Sequence, residues 1–406
     1  MTIRLLSSTT VNRIAAGEVV ERPASAIKEL VENSIDAHAR RVDIVLRDGG
    51  RTYLSVVDDG IGIARDELSI AVERHATSKL PNDNLATIKT LGFRGEALPS
   101  IGSVSRLTLT SRQKQAADAW TIRIEAGAKH EQEPAAHLIG TTVEVRDLFY
   151  ATPARLKFLK TARTELNHVL DTVRRLAMAH PEIAFSVRDG ERQVLKLLHA
   201  QGDMIDARLD RLDVIMGNDF AANAIAIETG RYGLCLSGFA GLPTLNRGSA
   251  SHQYLFVNGR PVRDKLLYGS VRGAYRDFLA HDRHPLLALF LDVPPETVDV
   301  NVHPAKTEVR FRDPGLVRGL IVSALKHALV AAGHRASTTV TNAAMGAFRP
   351  ETGGMYFAAH SATTIPRGVS EFALSSQAPV AQMAALNRLD NAPTARFESY
   401  QVTADG

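Results

Sequence analysis

From Pro23 to Ala37 the apolar residues Ile27, Leu30, Val31 and Ile35 recur at helical spacing, while Glu29, Asn33 and Asp36 fall on the opposite side at i, i+4 and i+7. A helix built this way has a core face and a carboxylate, amide, carboxylate stripe. Arg22-Pro23 restarts the chain just before it, and proline suits a first helical turn because its missing N–H has no partner there. Val11–Val20 predicts an earlier helix with Ile14, Ala15, Val19 and Val20 as apolar contacts. The pattern then changes to period two over Val42–Leu46 and around Tyr53–Val57, with Asp48-Gly49-Gly50 between, which predicts a hairpin. Leu107–Thr110, Trp120–Ile124 and Thr141–Val145 are further strands, and a helix opens at Arg155 and continues to about Ala179. Arg211–Arg310 form a second region with strands at Ala224–Ile227, Leu234–Phe239 and Tyr254–Val257, a turn at Asn258-Gly259 and a helix from Asp264 to Leu279.

Composition narrows this picture only at its edges. A chain of 406 residues predicts two to three domains. Hydrophobic residues at 45% and charged residues at 23% exclude disorder throughout and a collagen-like chain. The net charge of +4 permits an anionic partner such as nucleic acid without requiring one. Cys235 is the only cysteine, which excludes an intrachain disulfide framework and suits a reducing cytosol. The N-terminus lacks the apolar core of a signal peptide, and no apolar run is expected to span a bilayer, so a cytoplasmic placement without membrane contact is expected.

The candidate chemistry begins with the stripe, which a solvated helix face would also produce. The second hairpin strand runs into Asp58-Asp59-Gly60-Ile61-Gly62-Ile63, where two glycines let backbone approach a ligand and a carboxylate can accept a hydrogen bond from it. Ordinary turns favour the same residues. Thr90-Leu91-Gly92-Phe93-Arg94-Gly95-Glu96-Ala97-Leu98 places glycines before a helix-forming run, an arrangement that holds phosphate on free N–H groups. It is not a Walker A loop, because no Gly-Lys-Ser/Thr follows at the required spacing. Arg155-Leu156-Lys157-Phe158-Leu159-Lys160 is basic, and Arg260, Arg263, Lys265 and Arg272 cluster at and after the Asn258-Gly259 turn. Both stretches read as either solvated faces or contacts to nucleic acid.

In their order these motifs resemble the GHKL (Bergerat-fold) ATPases. Ile14-Ala15-Ala16-Gly17-Glu18-Val19-Val20, Asp147-Leu148-Phe149-Tyr150 with Thr152-Pro153-Ala154-Arg155, and Val300-Asn301-Val302-His303-Pro304-Ala305-Lys306 narrow the resemblance to the MutL family of DNA mismatch repair proteins, over roughly residues 1–330. A gyrase-type topoisomerase subunit, and a DNA-binding scaffold that uses ATP only structurally, are the competing readings.

The resemblance implies an α+β chain: a GHKL α/β sandwich over residues 1–205, a ribosomal-protein-S5-like domain over 206–335, and a flexible or disordered tail over 336–406. It implies ATP and Mg²⁺ as ligands, Glu29 as the base that activates water, and Asn33 as the metal ligand. Asp58 would read adenine with Thr142 beside it. Gly62, Lys79, Gly92, Phe93, Arg94 and Gly95 would lie along the triphosphate, and Lys306 would reach the γ-phosphate from the second domain. Asp36 and Glu32 are expected to be surface or supporting residues, with Asp36 a bystander. Arg155, Arg263, Lys265 and Arg272 are expected to contact DNA, largely its backbone. Pairing of two copies on ATP binding, the mismatch-recognition protein MutS and downstream repair factors are the partners implied. Asp59 departs from the family, many of whose members carry asparagine there.

Overall fold

The computed structural model describes Leu5 and residues 8–79, 90–92, 95–200, 202, 204–299 and 308–347. They belong to one compact unit, and a second unit, Arg349–Gly406, lies outside the described residues. The first stretch runs α1 (Ser8–Val19), α2 (Pro23–Asp36), β1 (Arg41–Arg47), β2 (Tyr53–Asp58), α3 (Arg65–Ala71), α4 (Ala97–Val104), β3 (Arg106–Arg112), β4 (Ala119–Glu125), β5 (Ala128–Lys129), β6 (Glu133–Ala135) and β7 (Gly140–Arg146). Next come α5 (Pro153–Leu156), α6 (Ala162–Ala179), β8 (Ala184–Asp189) and β9 (Arg192–Leu197). The remainder is α7 (Met204–Met216), α8 (Asn218–Ala222), β10 (Ala224–Arg231), β11 (Leu234–Gly241), β12 (Asn246–Arg247), β13 (Gln253–Val257), β14 (Arg260–Val262), α9 (Lys265–Tyr275), β15 (His284–Pro285), β16 (Leu287–Asp292), β17 (Val298–Asp299), β18 (Arg310–Phe311) and α10 (Pro314–Ala347).

The first sheet is ordered β5-β4-β3-β7-β2-β1-β8-β9, with β6 beside β4. Its strands alternate as the period-two pattern predicts. Ile44 pairs with Val56 and Leu46 with Leu54, and all four are buried in one core, while of their neighbours Val45, Arg47 and Val57 are more exposed and Ser55 is buried on the opposite face. Helices cover that face: Ile27, Leu30 and Val31 of α2 are buried with Ile101 and Val104 of α4 and Val169 and Val173 of α6. Because β2 lies at the middle of this sheet and α2 packs across it, the polar side of α2 stands at the C-terminal end of β2.

The second sheet, β10-β11-β16-β13-β14, is buried on both faces, which is why Tyr254–Val257 and Leu287–Leu291 are continuous apolar runs rather than alternating ones. One face packs on α9 and α10 through Leu267, Val271, Leu320 and Leu325. The other packs on α6, α7 and α8 through Met178, Leu212 and Phe220, with Phe256 and Phe290 stacked at 4.6 Å. The two sheets are therefore joined through α6 and α7.

Three expectations need correction. The helix expected from Arg155 to Ala179 is broken into α5 and α6, because Thr161 caps α6 by accepting from Thr164 N at 3.4 Å and Glu165 Oε1 accepts from Lys160 N at 2.8 Å. Helix α10 continues to Ala347, past the start of the expected tail at residue 336. Its segment Pro314–Gly333, with mean hydropathy 1.5, is also long and apolar enough to cross a membrane, contrary to the expectation that no apolar run is. Here Val317, Leu320, Ile321, Leu325 and Leu329 are buried in the second core, as a wall of the fold.

Candidate active site

Two groups of side chains meet where α2 crosses the end of β2. The first centres on Asp58, the last residue of β2 and 9% exposed. Ser34 of α2 donates its hydroxyl to Asp58 Oδ2 at 2.8 Å, and Gly60 N donates to Oδ1 at 3.0 Å. Burial raises the carboxyl above its ordinary value, although these donors and the Thr141 backbone oppose the rise. Thr142 of β7 pairs with Val57 across the ladder, and its hydroxyl lies 2.7 Å from His137 Nε2. Asp59 turns the other way: its Oδ1 accepts from Arg40 N and Arg41 N at 2.7 and 2.8 Å, fixing the entry to β1. Asparagine would offer the same oxygen there, so the departure at Asp59 keeps these backbone bonds, while its charge adds a smaller push to the raised Asp58 pKa.

The second group is the acidic side of α2. Glu29, Glu32 and Asp36 follow at i, i+3 and i+7, and three cations face them, Lys28 from α2 itself and Lys79 and Arg260 from elsewhere in the chain. Lys28 Nζ lies 2.8 Å from Glu32 and 3.3 Å from Glu29. Burial pulls the Lys28 pKa down, but the charges of Glu32 and Glu29 outweigh it and leave Lys28 above its ordinary value. Lys79 Nζ donates to Asn33 Oδ1 at 2.7 Å and Asp36 Oδ2 at 2.6 Å. Arg260 of β14 comes from the second sheet, where burial lowers its pKa against the opposing charges of Glu32, Asp36 and Glu29.

Asp36 is thus corrected from bystander to organiser. Besides Lys79, it accepts from Leu91 N at 2.9 Å and Gly92 N at 3.0 Å, and its side chain is 7% exposed. Glu32 is buried as well, so neither is a surface residue. A Cβ on Gly92 would sit 3.0 Å from Lys79 Nζ and 3.4 Å from Asn33 Oδ1, so residue 92 closes directly over the amide. Gly62 and Gly95 both have left-handed backbone, φ +75 and +60, and a Cβ on either would meet a carbonyl oxygen at 2.2 Å (Arg112) or 2.4 Å (Ala76). These contacts thus bring Asn33, Lys79 and Gly92 together around Asp36, and Asp58 to Ser34 on the same helix, while Gly62 lies against Arg112, Gly95 against Ala76 and Thr142 against His137. Phe93, Arg94 and Lys306 lie outside the described residues.

The expected DNA contacts are divided. Lys265 and Arg272 lie seven residues apart on α9 and are both exposed. Arg272 Nη2 lies 2.8 Å from His281 Nε2, and Arg263, also exposed, pairs with Asp171 at 2.8 Å. Arg155 is corrected: its guanidinium donates inward, to Val20 O at 2.9 Å and Gly17 O at 2.6 Å, tying the end of α1 to α5. These two bonds hold the half-buried guanidinium against carbonyls that the end of α1 leaves without helical partners. Ser34, which donates to Asp58, and His137, which lies beside Thr142, were not singled out by the sequence patterns, and Arg260 was placed only in a basic cluster.

The mixed sheet with α2, α4 and α6 packed on one face is the fold of a GHKL-type ATPase. The family model described as histidine kinase-, DNA gyrase B- and HSP90-like ATPase matches residues 21–150, and the one described as DNA mismatch repair protein, C-terminal domain, matches 212–330. The DNA mismatch repair protein MutL of Rhodospirillum rubrum is 68% identical over 353 residues, covering 87% of this chain and 56% of that protein. The MutL of Rhodopseudomonas palustris is 51% identical over 417 residues, covering 100% of this chain and 67% of its own length. The chain belongs to the MutL family of DNA mismatch repair proteins. It spans a little over half the length of several of these relatives, 56% to 58% in the first five. Among solved structures, the Aquifex aeolicus MutL ATPase domain complexed with ADP is 29% identical, with a TM-score of 0.54 over 75% of this chain and 98% of that one. The N-terminal domain of a DNA repair protein is 25% identical, with a TM-score of 0.67 over 79% and 98%.

Proposed function

We propose that this chain binds and slowly hydrolyses ATP, and that the bound nucleotide drives two copies together to engage DNA during mismatch repair. The observation that carries this reading is the placement of Glu29 and Asn33 one turn apart on α2, beside a buried Asp58 held by Ser34. Glu29 is the base, aligning a water against the γ-phosphate and taking its proton. Asp58 accepts from the adenine amino group, which guanine lacks at that position. Lys306, by family resemblance, reaches the γ-phosphate. Residues 206–335 carry the S5-like part, with Arg263, Lys265 and Arg272 meeting DNA phosphate, so that DNA binding weakens as salt rises. Coupling to MutS and to downstream repair factors, in the cytoplasm, follows from the family.

Mg²⁺ fits this donor set. The Lys79 ammonium already stands 2.7 Å from Asn33 Oδ1, so the amide oxygen faces a cation. Asn33 would hold Mg²⁺ through that oxygen, with phosphates and waters as the other ligands, and the bound ion would neutralise phosphate charge. Lys79 must then turn from Asn33, keeping Asp36 or moving to phosphate.

The direct test is phosphate release from ATP with Mg²⁺ and with EDTA, alongside sedimentation with a non-hydrolysable analogue. Turnover that needs Mg²⁺ and a shift from monomer to dimer are expected. A protein that stays monomeric with saturating analogue contradicts the pairing step.

Asp58 gives a pH prediction. Its charge-assisted bond to adenine needs the ionised carboxylate, and nucleotide binding therefore favours loss of its proton. Because burial raises its pKa, affinity should begin to fall on acidification at a pH above the ordinary aspartate value of about 3.9. Calorimetric titration of ADP across a pH series should show this decline, flattened in Asp58→Asn. An affinity independent of pH down to 4 rules it out.

A further inference from the structure

The Thr90–Gly92 segment is held from both sides. Asp36 of α2 takes the N–H groups of Leu91 and Gly92 at 2.9 and 3.0 Å. Arg260, 6% exposed, takes the carbonyls: Nη1 donates to Leu91 O at 2.9 Å and Nη2 to Thr90 O at 2.5 Å. These two carbonyls belong to adjacent residues, and the planar fork of Arg260 meets them with one donor from each Nη. The same segment closes over Asn33 through Gly92.

Arg260 is presented rigidly. The turn before it has two left-handed residues, Asn258 (φ 48) and Gly259 (φ 74), as a two-residue hairpin turn requires. The Asn258 side chain also bonds both ways to Val293, Nδ2 to O at 3.0 Å and N to Oδ1 at 2.8 Å, which ties the turn to the end of β16. Three residues beyond β14's first residue the chain is exposed at Arg263, and Asp264 then caps α9 by accepting from Leu266 N and Leu267 N at 2.9 and 3.1 Å. No flexible linker separates the fork from the exposed cations of α9.

We propose that Arg260 is a positioning residue that sets nucleotide affinity by holding Thr90–Gly92 against Asp36 and Asn33, and that it carries the effect of DNA bound on α9 into the nucleotide site. This rests on the ATP and DNA reading above. The route is short: Lys265 follows the Asp264 cap, which follows β14 in the chain, and from Arg260 direct bonds lead through the Thr90–Gly92 backbone to Asp36 and Lys79. Coupling between two ligands is reciprocal, so nucleotide must alter DNA affinity by the same factor by which DNA alters nucleotide affinity.

The test compares wild type with Arg260→Gln and Arg260→Lys. In Arg260→Gln the KM for Mg·ATP is expected to rise about tenfold while kcat changes less than about threefold, the split of a group that binds without touching the reacting atoms. Hydrogen exchange at Leu91 and Gly92 should speed up, and Arg260→Lys should restore neither, since an ammonium has no fork. The ratio of DNA affinities with and without AMP-PNP, measured on a fluorescent DNA duplex at fixed salt, should depart from one in wild type and return to one in Arg260→Gln. Unchanged KM and exchange in folded Arg260→Gln overturn the proposal. So do rescue by lysine, a fall in kcat with KM unchanged, or a wild-type ratio of one. If Arg260→Gln does not fold, Asn258→Ala replaces it; it loosens the same turn and should raise KM and exchange in the same direction, and unchanged values there overturn the proposal equally. A wild-type protein that binds no ATP would instead refute the underlying ATPase reading.

Discussion

Arg211→Met is expected to destabilise the fold by about 3 kcal/mol or more, although Arg211 touches no part of the nucleotide site. Arg211 of α7 is 3% exposed, and its guanidinium donates to four carbonyls: Ala177 O at 3.1 Å, Pro181 O and Ile183 O at 2.9 Å, and Leu198 O at 2.6 Å. The end of α6 needs this help for a sequence reason. The N–H that would serve Ala177 O in a continuing helix belongs to residue 181, which is proline and has none. Burial lowers the Arg211 pKa to about 10, against the opposing charge of Glu182, so it remains a cation at neutral pH, solvated by carbonyl dipoles. Methionine fills the same space but leaves these oxygens facing an apolar chain, at roughly 1–3 kcal/mol for each one left unsatisfied. Pro181 O keeps a bond from Ala200 N, which limits the total. Urea unfolding should show the loss as a lower midpoint at unchanged slope, with a fall in Tm of roughly 5–10 °C. A change below about 1 kcal/mol would mean that α6 and α7 are held by Met178, Leu212 and their apolar neighbours alone.

What the sequence disclosed depends on the distance over which each feature is decided. Helix α2 was legible because its two faces are set by residues three and four apart, and Ile27, Leu30 and Val31 are buried as that spacing demands. The hairpin β1–β2 was legible for the same reason at period two, down to the pairing of Ile44 with Val56. Asp36 was misjudged because its partners, Lys79, Leu91 and Gly92, come from another segment, and periodicity carries no information about them. Arg155 and Arg260 failed in a related way. Each stood in a basic cluster that resembled a nucleic-acid face, yet each spends its donors on backbone carbonyls 135 or more residues away. A charge pattern along the chain cannot distinguish a guanidinium offered to solvent from one that ties two segments together. The break before α6 did have a local signal, since Thr161 is an N-cap residue type and Glu165 an acidic residue in the first turn after it. Ser34 had none: it is one polar residue on a helix, and only the packing of α2 across β2 brings it to Asp58.

Glu29→Gln is expected to lower kcat for ATP hydrolysis by about 10²- to 10⁴-fold while leaving nucleotide binding within a few-fold of wild type. The amide keeps the shape of the carboxylate but cannot take the proton of an attacking water, so the change removes proton transfer and little else. Packing should survive, because Lys28 retains Glu32 at 2.8 Å, a closer partner than Glu29 at 3.3 Å. On the proposed reading binding should survive, because the adenine contact is assigned to Asp58 and the phosphate contacts to Asn33, Lys79 and Gly92, whose bonds to one another do not involve Glu29. Removing a negative charge beside the triphosphate also relieves repulsion, so the Kd for ATP should stay level or fall. The expected loss corresponds to roughly 2.7–5.4 kcal/mol of transition-state stabilisation, a size that neither a surface ion pair nor a change in helix propensity would produce. Single-turnover phosphate release separates the two readings of the acidic side of α2. If Glu29→Gln releases phosphate within threefold of wild type, the base lies elsewhere and Glu29 serves only to hold Lys28. If release collapses while the nucleotide stays bound, the site is trapped with ATP in place, and the paired form should then persist after excess nucleotide is removed.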